Sequence, residues 1–140
     1  MMENRQYLLD TSILIEFVHG NGKVIERIKQ VGFDRCMISV VSLQELYFGA
    51  YKAKSVRNEY YEQELVRINM LRRRFMVLPL PEEADGYGQI KESLQRTGKL
   101  VDEFDMLIGG QALAENLTVI TDNVRHFERF PGIRVENWTV

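Results

Sequence analysis

A single α/β domain, with a mainly parallel central sheet flanked by helices, is what this 140-residue chain predicts, and three observations predict it. Short apolar runs of strand length alternate with longer segments of helical periodicity, the mark of strand–helix–strand units. The first four of the five apolar runs are continuous, as in strands covered on both faces. No repeat, low-complexity tract or Pro/Gly/Ser-rich linker divides the sequence, so residues 1–140 read as one domain.

The elements follow in order. Tyr7–Leu9 is a short buried strand that stops on Asp10, and Thr11–Val18 is a short helix closed by the turn "HGNGK". Val24–Val31 is a second helix. Cys36–Val41 is the second strand, and an amphipathic helix runs from Ser42 to about Lys54. Its opening, Ser42-Leu43-Gln44-Glu45, fits a capping box, in which a glutamate folds back on the capping residue. Asn58–Arg74 is a long charged helix carrying Leu65, Ile68 and Leu71 on one side. Phe75–Leu80 is the third strand. Pro81 leads into a helix over Glu82–Thr97 that Gly98 ends, and Asp102 or Glu103 starts another that runs to about Asn116. Leu117–Ile120 is the fourth strand and Val124–Arg129 a last short helix, closed by "FPGI". Ile133–Trp138 alternates apolar with polar residues and reads as an edge strand.

Composition narrows the function. At 45% hydrophobic the chain can bury a core without staples, and its one cysteine, Cys36, excludes an internal disulfide or a Cys-rich metal site. Within the apolar run "CMISVV" that thiol reads as buried and inert. No stretch approaches the ~20 apolar residues of a membrane helix, and "MMENRQ" lacks the basic segment and apolar run of a secretory leader. The expected location is the cytoplasm. A net charge of −2 argues against a protein that simply coats nucleic acid.

The acids are placed unusually. Asp10 ends the first strand, Glu45 lies in the first turn after the second, Asp105 opens "DMLIGGQALAEN", and Asp122 ends the fourth strand in "LTVITDNVRHF". In an open α/β sheet the C-terminal strand edge is where ligands bind, beside a change of strand order. Each acid has a bland account of its own. Asp10 and Asp122 suit helix N-caps, Glu45 suits the capping box, and Asp102 and Asp105 suit a helix N-terminus. Four such acids at one edge of one small domain call for more. Carboxylates held together repel, and some take up protons unless a cation intervenes. Mg²⁺ and Mn²⁺ accept hard oxygens, and an ion so held can activate water and stabilise charge on a phosphate. That chemistry is phosphodiester hydrolysis.

At these residues the chain resembles the PIN-domain ribonucleases and, among them, the VapC-type toxins of type II toxin–antitoxin pairs. "YLLDTSILIE" is similar to the family's opening strand and first acid, "ISVVSLQELYFGA" to its second block, and "GKLVDEFDMLIGGQALAENLTVITDNVRHFERFPGIRVENW" to its long C-terminal block. The resemblance implies a Mg²⁺- or Mn²⁺-dependent endoribonuclease in which Asp10, Glu45 and Asp105 hold the metal, with Asp122 as fourth acid. Thr11 and Thr121 match small polar positions near the cluster, and Asn123 falls beside them; all three are candidates for a metal-held water or a phosphate. The resemblance also implies a homodimer neutralised by a small antitoxin, whose tail packs on the toxin and reaches the active-site groove. One departure is "LIGGQA", where relatives commonly carry alanines. Gly109 and Gly110 cost the helix roughly 1 kcal/mol each relative to alanine, and a close approach to the sheet would explain them.

Without the four acids the remaining charge becomes +2, compatible with a polyanionic substrate. Arg67, Arg72, Arg73 and Arg74 suit a solvated helix C-terminus or an RNA backbone contact. Arg125 and Arg129 follow the fourth acid, and Arg125 is a candidate phosphate ligand. His19 and His126 could serve a metal-free ribonuclease as acid and base, though His19 sits in a turn. Tyr47, Phe48, Tyr51, Tyr60 and Tyr61 read as core or as a subunit or antitoxin surface rather than a base-stacking platform. Receiver domains and aspartyl phosphatases fit poorly: "VLPLPEE" lacks the third-strand aspartate, "VITDN" the lysine, and position 12 is serine. The other reading is a PIN-like binding module that has lost catalysis and acts through protein contacts.

Overall fold

The computed structural model describes residues 4–140; the first three residues of the polar "MMENRQ" lie outside the described residues. Five strands, β1 (Tyr7–Leu9), β2 (Cys36–Ser39), β3 (Met76–Leu78), β4 (Thr118–Ile120) and β5 (Arg134–Glu136), form one all-parallel sheet in the order β3-β2-β1-β4-β5. The chain winds outward from β1 through β2 to β3, then returns to the other side of β1. β1 and β4 therefore flank the switch point, and Leu9 and Ile120 lie opposite each other in register. The residues that follow them, Asp10 and Thr121, emerge side by side into the crevice where α/β sheets bind ligands.

Among the described residues seven α-helices flank the sheet: α1 (Thr11–Val18), α2 (Gly22–Val31), α3 (Val40–Lys54), α4 (Asn58–Arg74), α5 (Asp85–Arg96), α6 (Glu103–Glu115) and α7 (Val124–Phe127). Successive strand side chains point to opposite faces, and each face has its own core. Tyr7, Leu9 and Ile38 pack with Leu14, Ile28 and Leu71 from α1, α2 and α4. Leu8, Met37 and Val119 pack with Ile90, Met106 and Ile108 from α5 and α6. Demand from both faces is why β1, β2 and β4 read as continuous apolar runs. β3 is different: it is an edge strand despite its apolar sequence, and Met76 is 63% exposed. β5 is the edge strand its alternation predicts.

Two boundaries differ in ways that bear on the site. The second strand ends at Ser39, whose hydroxyl accepts from Val41 N–H at 3.0 Å and caps α3. Val40 and Val41 belong to the helix, Ser42 is buried inside it, and Glu45 sits in its second turn. The capping box is therefore absent, because a hydroxyl three residues earlier already does that job. On the other face α5 starts at Asp85 rather than Glu82. A turn of 3₁₀ helix at Phe33–Arg35, entered through Gly32 at φ 101°, has no counterpart in the sequence reading. No helix among the described residues is long and apolar enough to cross a membrane.

Gly109 and Gly110 allow a close approach, but not to the sheet. A Cβ on Gly110 would lie 2.7 Å from Tyr87 N and 3.2 Å from Gly86 C, on the α5 backbone; one on Gly109 would meet the Phe130 ring at 2.5 Å. Backbone cannot yield as a side chain can. Gly110→Ala is accordingly expected to destabilise by about 1–3 kcal/mol, outweighing the ~1 kcal/mol of helix propensity it gains, and thermal melting would read this as a loss of several degrees. A melting temperature at or above the parent's would show that α5 and α6 separate at little cost.

Candidate active site

Asp10 is the centre of the site. It is 5% exposed. One carboxylate oxygen accepts from Thr11 N–H at 2.8 Å, and the other from the hydroxyls of Thr121 at 2.8 Å and Ser12 at 3.3 Å. It occupies the N-cap of α1, so the capping account is correct as far as it goes. Yet its carboxylate serves the first helical N–H rather than the second or third, where capping side chains usually bond. Burial pushes its pKa above the ordinary aspartate value and the charge of Asp122 adds to this, while the bonds from Thr121, Thr11 and Ser12 pull it back.

Glu45 reaches the same place from α3. Its Oε1 accepts from Thr11 Oγ at 2.6 Å, and Thr11 Oγ lies 2.9 Å from Ser42 Oγ. Thr11 has one hydroxyl proton; with it given to Glu45, Ser42 supplies the second bond. Partial burial raises the Glu45 pKa, the Thr11 bond opposes this, and the charges of Asp10 and Asp102 add to the rise. Asp105 comes from the first turn of α6, with its side chain 16% exposed. Its pKa is pushed up to about 6, first by burial and then by the charge of Asp10. His126 works the other way, with Nδ1 3.4 Å from Asp105 Oδ2.

Asp122 stands apart. It is exposed, and its backbone N–H donates to Ser12 Oγ at 3.5 Å, but its side chain has no hydrogen-bond partner among the described residues. Its charge still reaches Asp10. Thr11 and Thr121 both touch the acids. The Asn123 amide lies 2.6 Å from His126 Nδ1, and Arg125 is exposed on α7. Ser12 is a participant the sequence reading missed, and Asp102, Ser42 and His126 take part in roles it did not give them. Asp102 caps α6 through Phe104 N–H at 2.7 Å while its charge acts on Glu45 and Asp105. Ser12, Ser42 and His126 bond the acids or their partners. The signal was present for two of them, since Asp102 lies three residues before Asp105 and Ser42 three before Glu45, the spacing of one helix face.

Among the described residues five acids pair with a lysine or arginine, Glu59 being one of them, and the rest, inside the site and outside it, do not. Glu64, Glu92, Glu103 and Glu136 each meet an arginine or lysine within 4 Å. Among the described residues none of Asp10, Glu45, Asp102, Asp105 and Asp122 does, and the one basic neighbour is His126. Negative charge is thus concentrated in a half-buried cleft without a fixed cation, in hard oxygen donors that suit Mg²⁺ or Mn²⁺. As placed, no three His, Cys, Asp or Glu side chains among the described residues gather closely enough to ligate one ion. Each acid nearest the centre is turned to a hydroxyl or ring instead.

A cleft of about 430 Å³ leads from Thr11 and Glu45 between α1, α3 and α4, past Ile15 and Leu46, to the Glu64–Arg67 pair. Arg72, Arg73 and Arg74 lie where α4 passes into the start of β3, at the sheet edge opposite the acids, and Arg74 covers Phe33 at 4.5 Å. That placement favours the solvated-terminus account for them. His19 is exposed. A larger hollow of about 840 Å³, beside Arg27 and Trp138, contains none of the clustered acids.

Comparisons with known proteins show the family and the fold. The PIN domain family model matches residues 7–133. Ribonuclease VapC2 of Haemophilus influenzae is 34% identical over 135 residues, covering 95% of this chain and 98% of that one. The tRNA(fMet)-specific endonuclease VapC of Salmonella typhimurium is 34% identical over 134 residues, with the same coverage. Among solved structures, the DNA-bound VapBC complex of Salmonella typhimurium superposes with a TM-score of 0.84 at 33% identity, covering 96% of this chain and 98% of that one. VapBC2 of Rickettsia felis, bound to a DNA fragment from its promoter, does so at 0.84 and 26%, covering 94% and 98%.

Proposed function

This chain belongs to the PIN-domain family, and on that premise we propose that it is a VapC-type endoribonuclease, the toxin of a toxin–antitoxin pair, hydrolysing RNA with Mg²⁺ or Mn²⁺. The observation that carries the reading is the group of acids at the β1/β4 switch point with no lysine or arginine partner among the described residues. Asp10, Glu45 and Asp105 would hold the ion, with Asp122 at the exposed rim. When bound, such an ion supplies an activated water and offsets charge on the phosphate during in-line displacement, leaving a 5′-phosphate and a 3′-hydroxyl.

The chain's own residues do the rest. Thr121, Ser12 and the Thr11 N–H orient Asp10, and Thr11 with Ser42 orients Glu45. Arg125, exposed on α7, is placed to meet backbone phosphate. The cleft beyond Glu45, lined by Ile15, Leu46 and Ala53, is the surface the antitoxin would cover, and Phe48 and Tyr51 are exposed on the same helix, α3. Met76 and Leu80, 63% and 54% exposed, offer further apolar area to a homodimer. The protein would act in the cytoplasm, where its RNA is.

The test is cleavage of a defined RNA by purified protein, and the transfer RNA named for the Salmonella relative is a sensible first substrate. Cleavage should require Mg²⁺ or Mn²⁺, stop with chelator and leave 5′-phosphate ends. Cleavage indifferent to chelator would move the chemistry to the histidines. No cleavage, with no divalent-ion binding by calorimetry, would establish the inactive binding module instead.

A further inference from the structure

His126 sits where the two central acids are tied together. Asp10 Oδ2 accepts from Thr121 Oγ at 2.8 Å, and Thr121 Oγ accepts from Asn123 N–H at 2.9 Å. The Asn123 carbonyl accepts from His126 N–H at 3.1 Å, and the Asn123 amide lies 2.6 Å from His126 Nδ1. The same ring nitrogen lies 3.4 Å from Asp105 Oδ2. One short segment, residues 121–126, thus grips Asp10 at its start and Asp105 at its end, though the two acids are 95 positions apart in the chain. For Nδ1 to bond the carboxylate it must carry the ring proton, and Asn123 then turns its side-chain oxygen to the same N–H, which the two acceptors share, while the helix backbone holds the ring in place.

We propose that His126 is a positioning residue that uses Nδ1 to set the Asp105 carboxylate relative to Asp10, so that the β4–α7 turn determines the geometry of the acid pair. Groups that orient metal-holding side chains change affinity or turnover by about 10–100-fold when removed. The partly exposed ring, with its side chain 39% accessible, has one rival use: a direct contact from Nε2 to RNA phosphate. The chemistry of the replacements separates the two. The amide nitrogen of asparagine falls near the position of Nδ1, and that of glutamine near Nε2.

The inference rests on the ribonuclease reading, and the experiment keeps their failures apart. His126→Ala is expected to lower kcat about 10–100-fold with KM for RNA within about twofold, and to weaken Mn²⁺ binding by calorimetry, without RNA, by a comparable factor. His126→Asn should recover both to within about threefold; His126→Gln should recover neither. Crystals of His126→Ala should show Asp105 in a changed side-chain rotamer, restored in His126→Asn. Unchanged kcat and Mn²⁺ affinity in His126→Ala overturn the proposal, as does rescue by glutamine but not asparagine. Should the parent protein neither bind Mn²⁺ nor cleave RNA, the ribonuclease reading falls, and an unmoved Asp105 rotamer in His126→Ala would overturn the positioning role on its own.

Discussion

Asp10→Asn is expected to lose RNA cleavage by about a thousandfold or more, while melting no lower than the parent at pH 7. The activity loss follows from removing the negative charge at the centre of the cluster, where roughly 4 kcal/mol of transition-state stabilisation corresponds to three orders of magnitude. The stability follows from burial. Asp10 is 5% exposed and its pKa is raised mainly by burial, so its charged form is held at a cost. Asparagine keeps an oxygen for Thr11 N–H. Its amide nitrogen would face Ser12 and Thr121, whose hydroxyls can turn to accept. Glu45→Gln should act alike, since Thr11 can still donate to an amide oxygen and Ser39, not Glu45, serves the start of α3. A labelled-RNA assay in Mn²⁺ and a thermal melt on the same preparations read both. Full turnover in either variant would dismantle the site; lost turnover accompanied by a collapsed melt would trace the loss to folding.

What could be read ahead of the coordinates has physical reasons. β1, β2 and β4 were legible because both sheet faces demand apolar side chains, and α1 and α4 because turn residues flank their periodicity. The edge position of β3 was not, because Met76 is apolar without being buried, and no composition rule distinguishes that. The start of α3 was misplaced by a choice between two serines, Ser39 and Ser42, that only the strand's end decides. At the candidate site, Asp10 was legible because a strand end is marked in sequence, whereas Glu45 and Asp105 approach from helices and Asp122 stays exposed. The pairings that hold them were not legible. Thr11 bonds Glu45 across 34 positions and His126 approaches Asp105 across 21, and no local pattern records such pairings. Asp102 was legible as a cap, and a cap is what it is. Its second effect, on the charges of Glu45 and Asp105, exists only in three dimensions.

Asp105→Asn is expected to raise the melting temperature by several degrees near pH 7 and to leave it unchanged near pH 4. Asp105 titrates at about 6 in the folded chain against an ordinary value of 3.8, so between those limits the folded state binds the proton more tightly. Its stability contribution is therefore highest when both states are protonated, falls as pH rises from about 4 to about 6, and stays low above. The full difference corresponds to roughly 3 kcal/mol. The variant has no such loss, so the difference in melting temperature between variant and parent should open over that window. The difference is the right observable because other groups pull the other way. Glu103, held below its ordinary value by Lys91 and Tyr87, contributes stability that is lost as pH falls. The same cost should vanish when Mn²⁺ is added to the parent at pH 7, because a ligand that binds only the folded state stabilises it, by about 2.7 kcal/mol at a hundredfold excess over its dissociation constant. Protons compete for the same carboxylates, so that stabilisation should shrink toward pH 5 and be small in Asp105→Asn at any pH. A parent protein whose melt is indifferent to Mn²⁺ at pH 7, or a variant as responsive as the parent, would mean that the charge gathered around Asp10 is not there to hold a divalent ion.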